Sequence, residues 1–315
     1  MDLKNKPVLV LGASGFIGSH LTKALLKSNY RVRAFSRRFD IAQKKELEKL
    51  GTLEVIEGSV FDEQALQQAL TGISLVINLV TFSIPSTSPY SLQSELNTTL
   101  QSLNLLLSLM AKCQVKKLIF PSSGGTIYGN SEFRLVSERD RTAPLSSYGM
   151  GKLLCEEMIG FHHRTLGLDY LILRISNPYG AGRIRRVSQG VIDVFLEKVK
   201  AGQPLSIWAS ADTVRDYIFI DDLTDVTLRL IDLDISESVT LNIGSGIGTS
   251  LQDILLMINK VTGLETKHSY ETRNVPGVPY NVLDIQRLQD LTGWKPTYDL
   301  ESGIQEAWNR KQESI

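Results

Sequence analysis

The chain has 315 residues, 22% of them charged, with 34 Lys and Arg balanced by 34 Asp and Glu. A net charge of zero leaves no basic face to neutralise a row of nucleic-acid phosphates, and no stretch approaches the ~18 apolar residues of a membrane span. The N-terminus runs into a short apolar strand without a signal-peptide core, so a cytoplasmic protein of about two domains is expected, at roughly 150 residues per domain.

In chain order, the hydrophobic pattern predicts strands at 7–11, 30–36, 53–60, 75–80, 117–121 and 170–175. Between them lie helices at 15–28, 41–50, from Asp62 onward, at 91–113 and at 148–166. Strands apolar on both faces, alternating with amphipathic helices, indicate an α/β fold, a Rossmann-type doubly wound parallel sheet. After Asn177 the rhythm breaks at Pro178, Gly180, Gly182, Gly202 and Pro204, with short strands near 205–208 and 217–220. The expected division is a Rossmann-type domain over 1–177 and a smaller C-terminal α/β substrate domain over 178–315, some of whose segments return to the first. Cys113 and Cys155 stand in helical apolar patterns without a second ligand at metal spacing, so two reduced thiols and no metal are expected.

Gly12-Ala13-Ser14-Gly15-Phe16-Ile17-Gly18 follows the first strand and opens the first helix. That position aims backbone N–H groups and the positive helix end at a pyrophosphate. The three glycines allow, in turn, the tight bend, close approach of the phosphates, and packing of helix on strand. The Gly-x-x-Gly-x-x-Gly spacing resembles the short-chain dehydrogenase/reductase superfamily. Expected cofactor contacts are Gly12, Ser14, Gly15, Phe16, Ile17 and Gly18, then Ser36 and Arg37, Ser59 and Val60, Leu79 and Val80, and finally Tyr148 and Lys152.

A carboxylate ending the second strand would bind the adenosine ribose, whereas a cation there accommodates a 2′-phosphate. This strand ends in Ser36-Arg37-Arg38. Relatives often carry Asp at the positions of Ser36 and Ser59. NAD is the expected cofactor, with NADP the alternative; Arg37 and Arg38 read equally as solvated charges or as phosphate ligands.

Tyr148-Gly-Met-Gly-Lys152 places a phenol and an ammonium one helical turn apart on one face. A nearby lysine is expected to favour the phenolate and make Tyr148 a usable base. The preceding strand ends in Pro121-Ser122-Ser123-Gly124-Gly125-Thr126-Ile127-Tyr128-Gly129, a hydroxyl-bearing loop at the sheet edge where ligands bind.

With these stretches, and with Leu173–Gly180, Val214–Asp222 and Leu291–Pro296, the chain resembles the extended short-chain dehydrogenases, the NAD-dependent epimerase/dehydratase family and its UDP-glucose 4-epimerase-like branch. The resemblance implies a nucleotide-sugar substrate and a homodimer. It also implies that Asn177, Arg215 and Arg273 hold the diphosphate and ribose, that Thr126 contacts substrate, and that Asn281 lines the sugar's C2 side, unless Asn281 points away. The catalytic hydroxyl of many relatives falls on Gly124 here, leaving Ser123 or Thr126; Ser123 is the expected one.

Gly124-Gly125 supplies no acid–base pair, which disfavours elimination of water. The expected activity is a 4-epimerase acting on a UDP-hexose or UDP-N-acetylhexosamine by reversible hydride transfer through a 4-keto intermediate. The alternatives are an NADPH-dependent keto-sugar nucleotide reductase and a non-catalytic dinucleotide-binding regulator.

Overall fold

The computed structural model describes residues 6–83, 92–180, 190–207, 210–233, 238–271 and 278–313. Its first half alternates β1 (Val8–Leu11), α1 (Phe16–Lys27), β2 (Val32–Ser36), α2 (Ile41–Glu48), β3 (Leu53–Glu57), α3 (Glu63–Leu70), β4 (Leu75–Asn78) and α4 (Leu92–Lys112). There follow β5 (Lys117–Ser123), α5 (Gly124–Ile127), α6 (Ser147–Leu166) and β6 (Asp169–Ile175). Helix starts follow local chemistry: the Asp40 and Asp62 carboxylates accept N–H bonds at α2 and α3, and Ser146 accepts from Gly149 to begin α6.

The central sheet has seven parallel strands, ordered β10-β6-β5-β4-β1-β2-β3, with β10 being Val239–Ile243. This is the expected doubly wound sheet, and its seventh strand comes from the C-terminal half. Side chains alternate between two cores, as period-2 geometry requires. Val8, Val10, Val32, Ala34, Ile77 and Leu173 face α1 and the helix α8 (Ile220–Asp232). Leu9, Leu11, Phe35, Val76, Leu118 and Ile172 face α3, α4 and α6. Strand order reverses between β1 and β4, which opens a crevice at their carboxyl ends.

The remaining elements are β7 (Asn177–Tyr179), α7 (Val191–Lys200), β8 (Leu205–Ile207), β9 (Val214–Phe219), β11 (Gly248–Ser250), α9 (Leu251–Thr262), β12 (His268–Tyr270), β13 (Tyr280–Asn281), α10 (Gln286–Thr292) and α11 (Leu300–Gln312). Strand β9 gathers β7, β11 and β13 into a small sheet, while β8 pairs with β12. The strand expected at 217–220 begins earlier, at Val214, and Ile220 already belongs to α8. Among the described residues no helix is long and apolar enough to cross a membrane, no group of His, Cys, Asp and Glu could hold a metal, and both cysteines are free thiols.

Candidate active site

A single cleft of about 1520 Å³ runs along the carboxyl ends of the central strands. One end is the glycine turn. Gly12 has φ +80°, and a Cβ there would lie 3.1 Å from the carbonyl of Leu79, so β1 and β4 meet at backbone distance. A Cβ on Gly18 would lie 2.1 Å from the Gly12 oxygen, which only glycine avoids. Helix α1 has no acidic residue in its first turn and no side-chain cap, leaving its N–H groups free for an anion. Ser14, Gly15, Phe16, Ile17, Ser59, Val60, Leu79 and Val80 line this end with Gly12 and Gly18. The cradle thus fits a dinucleotide.

At the tip of β2, the Ser14 N–H donates to Ser36 Oγ at 3.0 Å, and Ser36, Arg37 and Arg38 all line the cleft. Glu57, at the tip of β3, also lines it, but its carboxylate already accepts from the Phe39 N–H at 2.8 Å.

The centre is built by β5 and α6. Strand β5 continues two residues beyond its expected end, through Ser122 and Ser123, and turns directly into the short α5. The Ser123 hydroxyl stands beside the Tyr148 phenol and draws its pKa down. Lys152 is buried, donates to the Pro121 carbonyl at 2.8 Å, and lies 5.9 Å from the Tyr148 ring centroid. Burial pushes the Tyr148 phenol up to about 12, with the Ser123 hydroxyl pulling the other way. The expected lowering of Tyr148 by Lys152 is not seen: burial decides the direction at this phenol, and burial also depresses the ammonium. Ser122 and Ser176 are buried beside them, and neither their hydroxyl oxygens nor that of Thr126 have a hydrogen-bond partner among the described residues. Such orphaned acceptors on a cleft wall suit a bound polar ligand. Ser122 and Ser176 lie within two of the stretches that carry the family resemblance.

The far end holds Asn177 and Arg215. The Asn177 amide donates to the Asp216 carbonyl at 2.8 Å. Arg215 donates to the carbonyls of Val214 and Val278, each at 2.8 Å. Among the described residues no carboxylate pairs with Arg215, and burial lowers its pKa. A half-buried guanidinium held only by carbonyls keeps donors for an anion.

Two expected substrate residues stand apart. Arg273 lies outside the described residues. Asn281 is 1% exposed, does not line the cleft, and donates its amide to the Gly124 carbonyl at 3.2 Å. Of the two expectations for Asn281, lining the sugar's C2 side or pointing away, the buried amide on the Gly124 carbonyl favours the second. The same packing explains Gly124, since a Cβ there would lie 2.6 Å from Leu283 Cδ1 and 2.9 Å from the Arg174 oxygen. No hydroxyl-bearing side chain fits at that position.

The chain belongs to the NAD-dependent epimerase/dehydratase family, whose model matches residues 8–244, and is an extended short-chain dehydrogenase/reductase of the UDP-glucose 4-epimerase-like kind. It is 31% identical over 317 residues to the dTDP-4-dehydro-6-deoxyglucose reductase of Escherichia coli, covering 96% of this chain and 97% of the relative. It is 28% identical over 332 residues to the UDP-glucose 4-epimerase of Rhizobium meliloti, covering 98% and 97%. The crystal structure of a Thermotoga maritima UDP-glucose 4-epimerase with UDP-glucose superposes with a TM-score of 0.86 at 28% identity, covering 98% and 99% of the two chains.

Proposed function

We propose that the chain interconverts C4 epimers of a nucleotide-linked sugar, a UDP-hexose or UDP-N-acetylhexosamine, by reversible oxidation through a 4-keto sugar. One observation carries this reading: the Ser123, Tyr148 and Lys152 cluster opens on the same cleft as the glycine cradle and Arg215. When bound, NAD supplies the acceptor and then the donor of the C4 hydride, and its charged nicotinamide favours the Tyr148 anion. Tyr148 takes the proton of the C4 hydroxyl and later returns it, while Ser123 holds the reacting oxygen. Lys152, fixed on the Pro121 carbonyl, keeps ammonium protons for the nicotinamide ribose. Arg215 and Asn177 hold the diphosphate end. Gly124-Gly125 brings no second proton-transfer group to the centre, which favours epimerisation over dehydration.

The test is incubation of the purified protein with UDP-glucose, UDP-N-acetylglucosamine, UDP-glucuronate and dTDP-glucose, followed by NMR of the product. The expected result is a mixture of C4 epimers without net consumption of reduced cofactor. An unchanged panel would count against the reading.

A second reading, an NADPH-dependent keto-sugar nucleotide reductase, is favoured by one feature. Arg37 and Arg38 line the cleft beside Ser36, and the Glu57 carboxylate nearby is engaged elsewhere, an arrangement suited to a 2′-phosphate. The Escherichia coli reductase is consistent with it. Stoichiometric NADPH oxidation by a 4-keto sugar nucleotide would select this reading.

A further inference from the structure

Beneath the catalytic pair, on the side away from the cleft, lies a carboxylate that the mechanism does not use. Glu95, in the first turn of α4, is 4% exposed. Among the described residues its two oxygens accept from neutral hydroxyls only, Ser83 Oγ at 2.6 Å and Thr99 Oγ1 at 3.0 Å. No Lys, Arg or His nitrogen forms an ion pair with it among the described residues. A buried carboxylate without a cation is costly unless a positive charge stands nearby.

That charge is Lys152. A cavity of about 10 Å³ separates the two and is lined by Glu95, Thr99, Ser102, Tyr148, Lys152 and Cys155. Helix α6 reaches Glu95 closely, since a Cβ on Gly151 would lie 3.3 Å from Glu95 Cγ. Lys152 uses one ammonium proton on Pro121, so others remain. The charged and titratable groups facing this ammonium are Tyr148, Cys155 and Glu156 from α6 and Glu95 from α4. Glu156 is already paired with Arg174 at 2.7 Å, and burial keeps Cys155 a thiol.

We propose that Glu95 is a positioning residue of the active site, a buried counter-charge that holds Lys152 as an ammonium from behind and sets the pH range in which Tyr148 exchanges its proton. Its negative charge opposes ionisation of Tyr148 and loss of the Lys152 proton alike. Removing the charge but not the shape, as in Glu95→Gln, therefore displaces both ionisations downward in pH. Through Ser83 the same carboxylate also ties the segment after β4, which lines the cofactor cleft, to the floor of the site.

The catalytic role rests on the proposed function, so the test includes a readout that needs no sugar. In the NAD-loaded protein the Tyr148 phenolate is titrated through its midpoint by ultraviolet difference absorbance, with Tyr148→Phe as the baseline. The expected result is a midpoint lower by at least about half a pH unit in Glu95→Gln, restored by Glu95→Asp, with both limbs of the kcat profile moving to lower pH. Ser83→Ala with Thr99→Val strips the hydrogen bonds but keeps the charge, and should lower the melting temperature without moving the midpoint. A midpoint that is unmoved or raised in Glu95→Gln, or that moves in the Ser83 and Thr99 variant, overturns the proposal. Failure of every sugar nucleotide to turn over would count against the proposed activity and leave the titration to decide Glu95.

Discussion

At the scale of single residues, the site turns on a conflict between burial and base strength. A phenol pushed up to about 12 is a poor base near neutrality, and within the protein the Ser123 hydroxyl is the group that pulls it down. Tyr148→Phe keeps the ring and removes the proton carrier, so kcat should fall by roughly 10² to 10⁴ while the dissociation constant for the nucleotide sugar stays within about threefold. Isothermal titration beside steady-state kinetics checks both. Ser123→Ala tests the sign of the pull. Losing a donor to the anion raises the Tyr148 pKa, so the acidic limb of the kcat profile should move to higher pH. A limb that stayed in place would transfer the role to Thr126, whose hydroxyl has no partner among the described residues. These residues were legible in the sequence because a one-turn Tyr–Lys spacing after a hydroxyl-bearing strand end states its chemistry locally. Asn281 was not, because the direction of its amide depends on β13 pairing with β9 and packing over α5.

At the scale of elements, the Ser-Gly-Gly segment shows what pattern alone misses. Read as a loop, it is instead the last two residues of β5 followed by a turn of helix, packed against Leu283 and the Arg174 backbone of β6. Leu283 and the Arg174 carbonyl leave no room for a Cβ at Gly124. Gly124→Ser should therefore destabilise the protein by roughly 1–3 kcal/mol, as overpacking does, although it restores the hydroxyl many relatives carry there. Adding Leu283→Ala should relieve the clash at the cost of a cavity. Chemical denaturation of both variants checks this, and a fully stable Gly124→Ser would show that Leu283 yields. Asn281→Tyr acts on the same contact, since the Asn281 amide donates to the Gly124 carbonyl. With no space on the cleft wall to enter, it should lower stability while leaving the ratio of kcat/KM for UDP-glucose and UDP-N-acetylglucosamine unchanged.

At the scale of the whole molecule, the cleft is closed by segments far apart in the chain. The first-half strands were readable from their apolar runs, since a buried parallel strand needs nothing else. The return of β10 to the edge of the sheet was not readable strand by strand, because a short apolar run does not reveal its partner. Nor was the brace at Asp216, fully buried, whose carboxylate accepts from the backbone N–H groups of Ser245, Gly246 and Leu283 and from the Ser245 hydroxyl. That carboxylate fixes β9, and with it the neighbouring Arg215, relative to the end of β10 and the segment after β13. The two ends of the cleft thus belong to different parts of the architecture, the cradle to the central sheet and Arg215 to the small one. Ligands for the two ends should then stabilise the fold separately. At about 100 times its dissociation constant, each ligand contributes about 2.7 kcal/mol, which for a chain of this size raises the melting temperature by roughly 4 °C. NAD and UDP, added singly and together to wild type and Arg215→Ala, separate the contributions. Arg215→Ala should lose most of the UDP shift and keep the NAD shift, because its guanidinium lies on the small sheet and takes no part in the glycine cradle. Loss of both shifts would mean that Arg215 supports the whole cleft, and an intact UDP shift would place the diphosphate elsewhere.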